Sequence, residues 1–325
     1  MGGDLGPRVT VPSAARFASQ NPQLSVILVG QESKIASLLS DISPIPNLHI
    51  RHASDEVMMN ERPASALRYK RGSSMAVALQ MIANKEADVC VSAGNTGALM
   101  ALSRSILRML PGVDRPALLK VLSLPSGKVY LLDLGANIDC SAEHLYQYAL
   151  MGCAYYALVE NNSSPRVGLL NVGEEEIKGT EQVRLAARLI SEAESIHYIG
   201  FIEGDQVFFD KADIVVCDGF VGNVALKTGE GMARMLISVL ESSLKGRWYL
   251  RLLGWAFKSV IQSVIKSLDP GRYNGAILIG VQGIVYKSHG SADEAAFFRA
   301  LTQAACDAER VTPEALNDSL DELLI

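Results

Sequence analysis

The chain has 325 residues, 49% of them apolar but only 6% aromatic, with a formal net charge of −5. It can therefore bury a sizeable core of Val, Ile, Leu and Ala, and its charge balance gives no global reason to expect a nucleic-acid partner. Cys90, Cys140, Cys153, Cys217 and Cys306 are scattered singly with no CxxC, which fits small buried thiols in a reducing compartment rather than a disulfide framework.

In chain order, LSVILVG (24–30) precedes a helix near 33–41, and ADVCVSAG (87–94) precedes the helical pattern NTGALMALSRSILRML. KVYLLDLGAN (128–137) leads to SAEHLYQYALMGCAYYALVE, and RVGLLNVG (166–173) leads to TEQVRLAARLISEA. ADIVVCDG (212–219) leads to a long helix from about Gly222. Uniformly apolar strands alternating with amphipathic helices predict an α/β fold with a doubly wound, mostly parallel sheet. No repeat or low-complexity linker divides the chain, so residues 1–325 read as a single α/β domain. Met1-Gly2-Gly3-Asp4 reads as a turn rather than the start of a secretory leader, and no run of ~20 uncharged apolar residues marks a membrane span.

Each of the last four strands ends in a cluster of glycine with polar residues: SAGNTG, DLGANID, NVGEEEIKG and DGFVGN. The carboxyl ends of strands in open α/β sheets form the binding crevice, and the helix N-termini that follow present N–H groups to anions. Four such loops converging on one edge predict an anion-binding crevice. No GxxxxGK[ST], GxGxxG after an early strand, or GxSxG is present, which argues against a P-loop hydrolase, the usual dinucleotide site and a hydrolase elbow. His49, His52, His144, His197 and His289 form no ligand pair at helical or hairpin spacing. His289, in KSHG, is either a structural histidine or a crevice residue. The three glutamates in NVGEEEIKG leave open a metal site, a solvated turn, or a lysine site in an acidic frame.

The stretches MGGDLGP (1–7), RGSSM (71–75), SAGNTGALM (92–100), DLGANIDC (133–140), NVGEEEIKG (171–179), CDGFVGNVALKT (217–228), YNGA (273–276) and KSHG (287–290) resemble, in order, the signatures of the bacterial phosphate acyltransferases of the PlsX family. The resemblance implies a fold related to phosphotransacetylases and isocitrate-dehydrogenase-like enzymes. It further implies a homodimer, acyl transfer from acyl-acyl-carrier protein to inorganic phosphate in phospholipid synthesis, and peripheral attachment to the inner face of the cell membrane from the cytoplasm. No cofactor or metal is expected. In that family MGGD closes a first strand, whereas Met1 opens this chain. Asp4 is accordingly expected to be poorly placed, and the chain less stable than one carrying ~10 more upstream residues, because unpaired buried backbone groups cost on the order of 1–3 kcal/mol each.

Phosphate is itself a nucleophile, so catalysis can rest on positioning and electrostatics without a protein nucleophile. Lys178 is the expected clamp on phosphate or oxyanion; the alternative is a surface lysine paired with Glu174. Asn223 is the expected amide donor to the tetrahedral oxyanion, or an ordinary N-cap. Asp4, Gly94, Asn95, Thr96, Gly97, Asn137, Asp139, Gly222 and His289 complete the expected substrate and phosphate cradle, with Asp133 orienting neighbouring donors.

The acidic carrier protein needs a local basic patch, for which Arg68, Lys70, Arg71, Arg104 and Arg108 are candidates, though such residues can simply be solvated. Residues 242–268 contain no acidic residue. Trp248, Tyr249, Leu252, Leu253, Trp255, Ala256 and Val260 in this stretch, flanked by Lys and Arg, predict a helical hairpin over 230–268 that lies in a membrane interface. The alternative there is a core or dimer helix. Against the acyltransferase stand a short-chain phosphotransacetylase using coenzyme A, and a non-catalytic membrane-associated scaffold.

Overall fold

The computed structural model describes residues 1–124, 127–245 and 274–324. Its N-terminal part runs α1 (Pro7–Gln20), β1 (Val26–Gly30), α2 (Glu32–Leu39), β2 (Leu48–His52), α3 (Pro63–Tyr69) and α4 (Ser74–Ala83). The middle follows as β3 (Val89–Ser92), α5 (Thr96–Ile106), β4 (Ala117–Leu124), β5 (Gly127–Leu132), α6 (Ala142–Glu160), β6 (Val167–Leu170), α7 (Glu181–Glu192) and β7 (Tyr198–Ile202). The chain closes with β8 (Ile214–Val216), α8 (Gly219–Lys245), β9 (Ala276–Ile279), β10 (Ile284–Lys287), α9 (Glu294–Ala308) and α10 (Pro313–Leu324).

Eight strands form one sheet in the order β3-β10-β9-β4-β5-β8-β6-β7, and β1 pairs with β2 separately. The β10–β3, β5–β8, β8–β6 and β6–β7 pairs are parallel, while β4 and β9 run antiparallel to their neighbours. The expected mostly parallel α/β sheet is therefore present. The antiparallel members β4 and β9, and helix α1, are additions to the elements read from the apolar runs of the sequence.

Local chemistry fixes the helix starts. The Asn95, Thr180 and Asp293 side chains accept from backbone N–H groups at the starts of α5, α7 and α9, and Ser141 with His144 forms a capping box on α6. Helix α6 buries Leu145, Tyr148, Met151 and Tyr155 against one face of the sheet, and α4 with α5 buries Leu79, Leu99 and Leu102 on the other. Burial on both faces explains why β6, VGLL, is apolar throughout.

β1 and β3 both line a cavity of about 1310 Å³, through Val26 to Val29 and Cys90 and Val91, with Met1 and Gly2 also in its lining. Burial holds the Met1 ammonium below its ordinary value. Residues 230–245 of the expected hairpin continue α8 as one helix, while Trp248, Tyr249, Leu252, Leu253, Trp255, Ala256 and Val260 lie outside the described residues. No described helix is long and apolar enough to cross a membrane.

Candidate active site

The glycine-rich loops do not all follow strands of one direction, which corrects the single edge expected from sequence. β4 pairs with β9 through Ala117–Leu119 and with β5 through Lys120–Leu124. The β3–β10–β9 group is thus offset along β4 from the β5–β8–β6–β7 group. β10 runs with β4 and ends at Lys287 beside Ala276, whereas β5 runs against it and ends at Leu132, one residue past the Lys120–Leu131 pair. Carboxyl ends of oppositely directed strands therefore meet at the middle of β4. The loops converge because the sheet is staggered.

On one side, the loop after β5 packs against the start of α8. The fully buried Asp133 carboxylate accepts from the N–H groups of Leu118 (2.8 Å), Ala136 (3.1 Å) and Asn137 (2.6 Å), and from Asn137 Nδ2 (3.0 Å). Burial nevertheless pushes its pKa up, against the pull of these donors. Asn137 Nδ2 also donates to the Pro116 carbonyl at 2.7 Å, so its amide holds the loop rather than facing an empty anion seat. Gly219 N donates to the Asn137 carbonyl at 2.7 Å. A Cβ on Gly222 would lie 2.1 Å from the Asp133 carbonyl oxygen, so only glycine permits this approach. Asn223 packs on Gly135, 3.6 Å from where a Cβ there would stand. The N-cap alternative for Asn223 is overturned: α8 begins at Gly219, and Asp218 Oδ1 accepts from Val221 N at 2.8 Å.

On the other side, three loops meet. Asp4 N donates to the Gly290 carbonyl at 2.8 Å, and a Cβ on Gly3 would touch Ala93 and Gly290 within 3.3 Å. Asp4 is thus seated beside KSHG. Gly94 is close-packed against Met75, and Gly97 against Pro63. Asn95 accepts from Ala98 N at 3.0 Å and donates to the carbonyls of Met58, Met59 and Glu61, which makes it a loop clamp. Thr96 opens α5 and is half-buried. Asp139 is exposed, and its carbonyl accepts from Arg115 at 2.9 Å. His289 Nε2 lies 3.2 Å from Lys227 Nζ, and this contact bridges the two sides.

NVGEEEIKG follows β6, next to β8, so Lys178 stands on the loop after one strand and Asn223 in the first turns of the helix after its parallel neighbour. Lys178 is half-exposed, with its ammonium 3.9 Å from Glu175; Glu174 instead ion-pairs with Lys211. The expected alternative partner, Glu174, is therefore the wrong one. Asn171 Nδ2 ties the loop shut by donating to the carbonyls of Gly173 (3.1 Å) and Lys178 (3.3 Å).

Of the basic candidates, Lys70 is 2.8 Å from Asp55 and Arg68 stacks on Tyr69, while Arg71, Arg104 and Arg108 are exposed. α3, which carries Arg68, packs on α5, which carries Arg104. Sequence reading missed Lys120, Lys227, Glu230 and Lys287. The available signal was a lysine inside each of the apolar strands ALLKVLSL and IVYK.

The fatty acid synthesis protein family matches residues 1–312. A relative from Marinobacter nauticus, named phosphate acyltransferase, is 49% identical over 325 residues, covering all of this chain and 95% of the relative. Among solved structures, a phosphotransacetylase from Streptococcus pyogenes superposes with a TM-score of 0.61 at 18% identity, covering 93% of this chain and 91% of that one. A branched-chain phosphotransacylase from Enterococcus faecalis gives 0.60 at 14% identity, over 93% and 97%. The last two establish the fold, that of the phosphotransacetylases. From its whole-length sequence match, the chain belongs to the fatty acid synthesis protein (PlsX) family.

Proposed function

We propose that the protein transfers a fatty acyl group from acyl-acyl-carrier protein to inorganic phosphate, giving acyl-phosphate. The observation that carries this reading is the meeting of glycine-rich loops at the middle of β4, in a chain whose relatives, matched over its whole length, are named phosphate acyltransferase. An oxygen of HPO₄²⁻ attacks the thioester carbonyl carbon; a C–O bond forms and the C–S bond breaks. The phosphate proton ends on the departing thiol, so charge balances without an external acid. Asn223 donates to the developing oxyanion from the first turns of α8, and Lys178 approaches the same region from the neighbouring loop.

Arg68, Arg71, Arg104 and Arg108 receive the acidic carrier protein. The basic, apolar sequence between 244 and 266 holds the enzyme at the inner membrane surface as part of a homodimer, which suits a product too apolar to diffuse freely. α8, leading toward it, exposes Val224, Met232, Met235 and Leu236.

Trapping acyl-phosphate with hydroxylamine tests the reaction. Turnover is expected with long-chain acyl-carrier protein, little with acetyl-coenzyme A, and losses of ~10²–10³ in Lys178→Ala and Asn223→Ala. Near-normal turnover in both variants removes them from the site. For the membrane, Leu252→Glu with Leu253→Glu should abolish binding to anionic vesicles, and unchanged binding refutes that part.

A further inference from the structure

Two lysines occupy positions where a sheet covered on both faces carries apolar side chains. Lys120 on β4 and Lys287 at the end of β10 are each 8% exposed. Lys287 stands opposite Ala276, and Leu119 stands opposite Ile277, so Ala276 separates the two lysines in one row across three strands. Side-by-side residues point to the same face. Strand spacing sets the two lysine Cα atoms roughly 9–10 Å apart, and Ala276 places only a methyl group between them.

α8 covers this row with Lys227 and Glu230. Glu230 accepts from Lys120 Nζ at 3.1 Å, and Lys227 Nζ lies 3.2 Å from His289 Nε2. His289 is itself fixed, with Nδ1 2.8 Å from Ser291 Oγ and its N–H donating to Asn274 Oδ1 at 2.9 Å. Asp4 faces Lys287 from the N-terminal loop. Lys287 Nζ donates to the Ser288 carbonyl and, among the described residues, forms no ion pair. Buried positive charge without full compensation is expensive unless a ligand completes it. Lys227 and His289 are exposed, so the cluster that holds the buried pair reaches the surface through them.

We propose that Lys120, Lys227 and Lys287, with His289 at the rim, seat the phosphate that attacks the thioester. This assignment rests on the acyl transfer proposed above. The seat lies one helical turn from Asn223, about 6 Å along α8 and on the same face. Nucleophile and oxyanion donor are thereby set side by side. Burial lowers Lys287 to about 8, so within the field of Asp4, Lys227, Glu230, Lys120 and His289 its charge is lost as pH rises through that value.

Equilibrium dialysis with radiolabelled inorganic phosphate, without acyl donor, tests the seat, together with separate KM values for phosphate and acyl-carrier protein. Lys287→Met and Lys227→Met keep the aliphatic stem, and Lys227 is at the exposed rim, so at least one folded variant is secured. Each should weaken phosphate binding roughly tenfold or more and raise the phosphate KM while leaving the acyl-donor KM unchanged. Wild-type affinity should fall above pH 8, and Lys287→Met should lack that step. Unchanged phosphate affinity in both variants overturns the seat, even if acyl-phosphate is made. Lysine-dependent phosphate binding without acyl-phosphate formation overturns the reaction and supports the seat.

Discussion

Gly222→Ala probes how tightly α8 is held on the loop after β5. The new Cβ would lie 2.1 Å from the Asp133 carbonyl oxygen and 2.6 Å from Cys217 Sγ. Ordinary contact requires more than 3 Å, so the helix start must retreat by about 1 Å. Overpacking of this kind costs about 1–3 kcal/mol, more than the ~1 kcal/mol that alanine gains over glycine within a helix. Differential scanning fluorimetry should therefore show a drop of up to roughly 3 °C. The same retreat carries Asn223 away from Gly135, and a 1 Å misplacement at a reacting centre costs ~10²-fold in rate. Gly231→Ala is the matched control, because nothing stands within 4 Å of its added Cβ on the same helix. It should be as stable as the parent or slightly more so, with full acyl-phosphate formation. Equal stability and activity in the two variants would refute the close-approach reasoning.

Other outcomes follow from the same contacts. Arg166 holds Asp213 through Nε (3.1 Å) and an Nη group (2.9 Å) while donating to the Asp210 carbonyl. Arg166→Met should cost about 1–2 kcal/mol in chemical denaturation, a partly exposed bidentate pair being worth no more. Burial raises Asp213, but the Arg166 hydrogen bonds outweigh it and hold the carboxyl below its usual value. Its stabilisation is thus present at neutral pH and lost as pH falls through that lowered value, and the variant should lack this acid-side loss. Asp307, buried between the hydroxyls of Tyr155 and Tyr286, is raised by burial to about 6. Its contribution is full below the unfolded carboxylate range and lost as pH climbs through 6, so Asp307→Asn should flatten the melting profile between pH 4 and 7. About six apolar β-formers added before Met1 should fill the cavity that β1 and β3 line and raise the melting temperature; an unchanged value contradicts that.

The apolar runs with glycine-rich ends marked β1, β3, β5, β6 and β8 because both sheet faces are covered, and their loops pointed to a crevice. The stagger that lets those loops meet was not legible. It depends on β4 pairing β9 along one half and β5 along the other, a register that local pattern does not encode. Asn95 and Asn137 show the same limit: their motifs mark a functional loop, but their amides hold backbone carbonyls there. Lys120 and Lys287 read as sequence irregularities in apolar strands. Their shared row emerges only when β9 places Ala276 between them.

The central claim is acyl transfer to phosphate, and ³¹P NMR of the reaction follows it most directly. With long-chain acyl-carrier protein and inorganic phosphate, an acyl-phosphate resonance should grow in step with free carrier thiol, one for one. Thiol release without that resonance, or neither signal, would contradict the account.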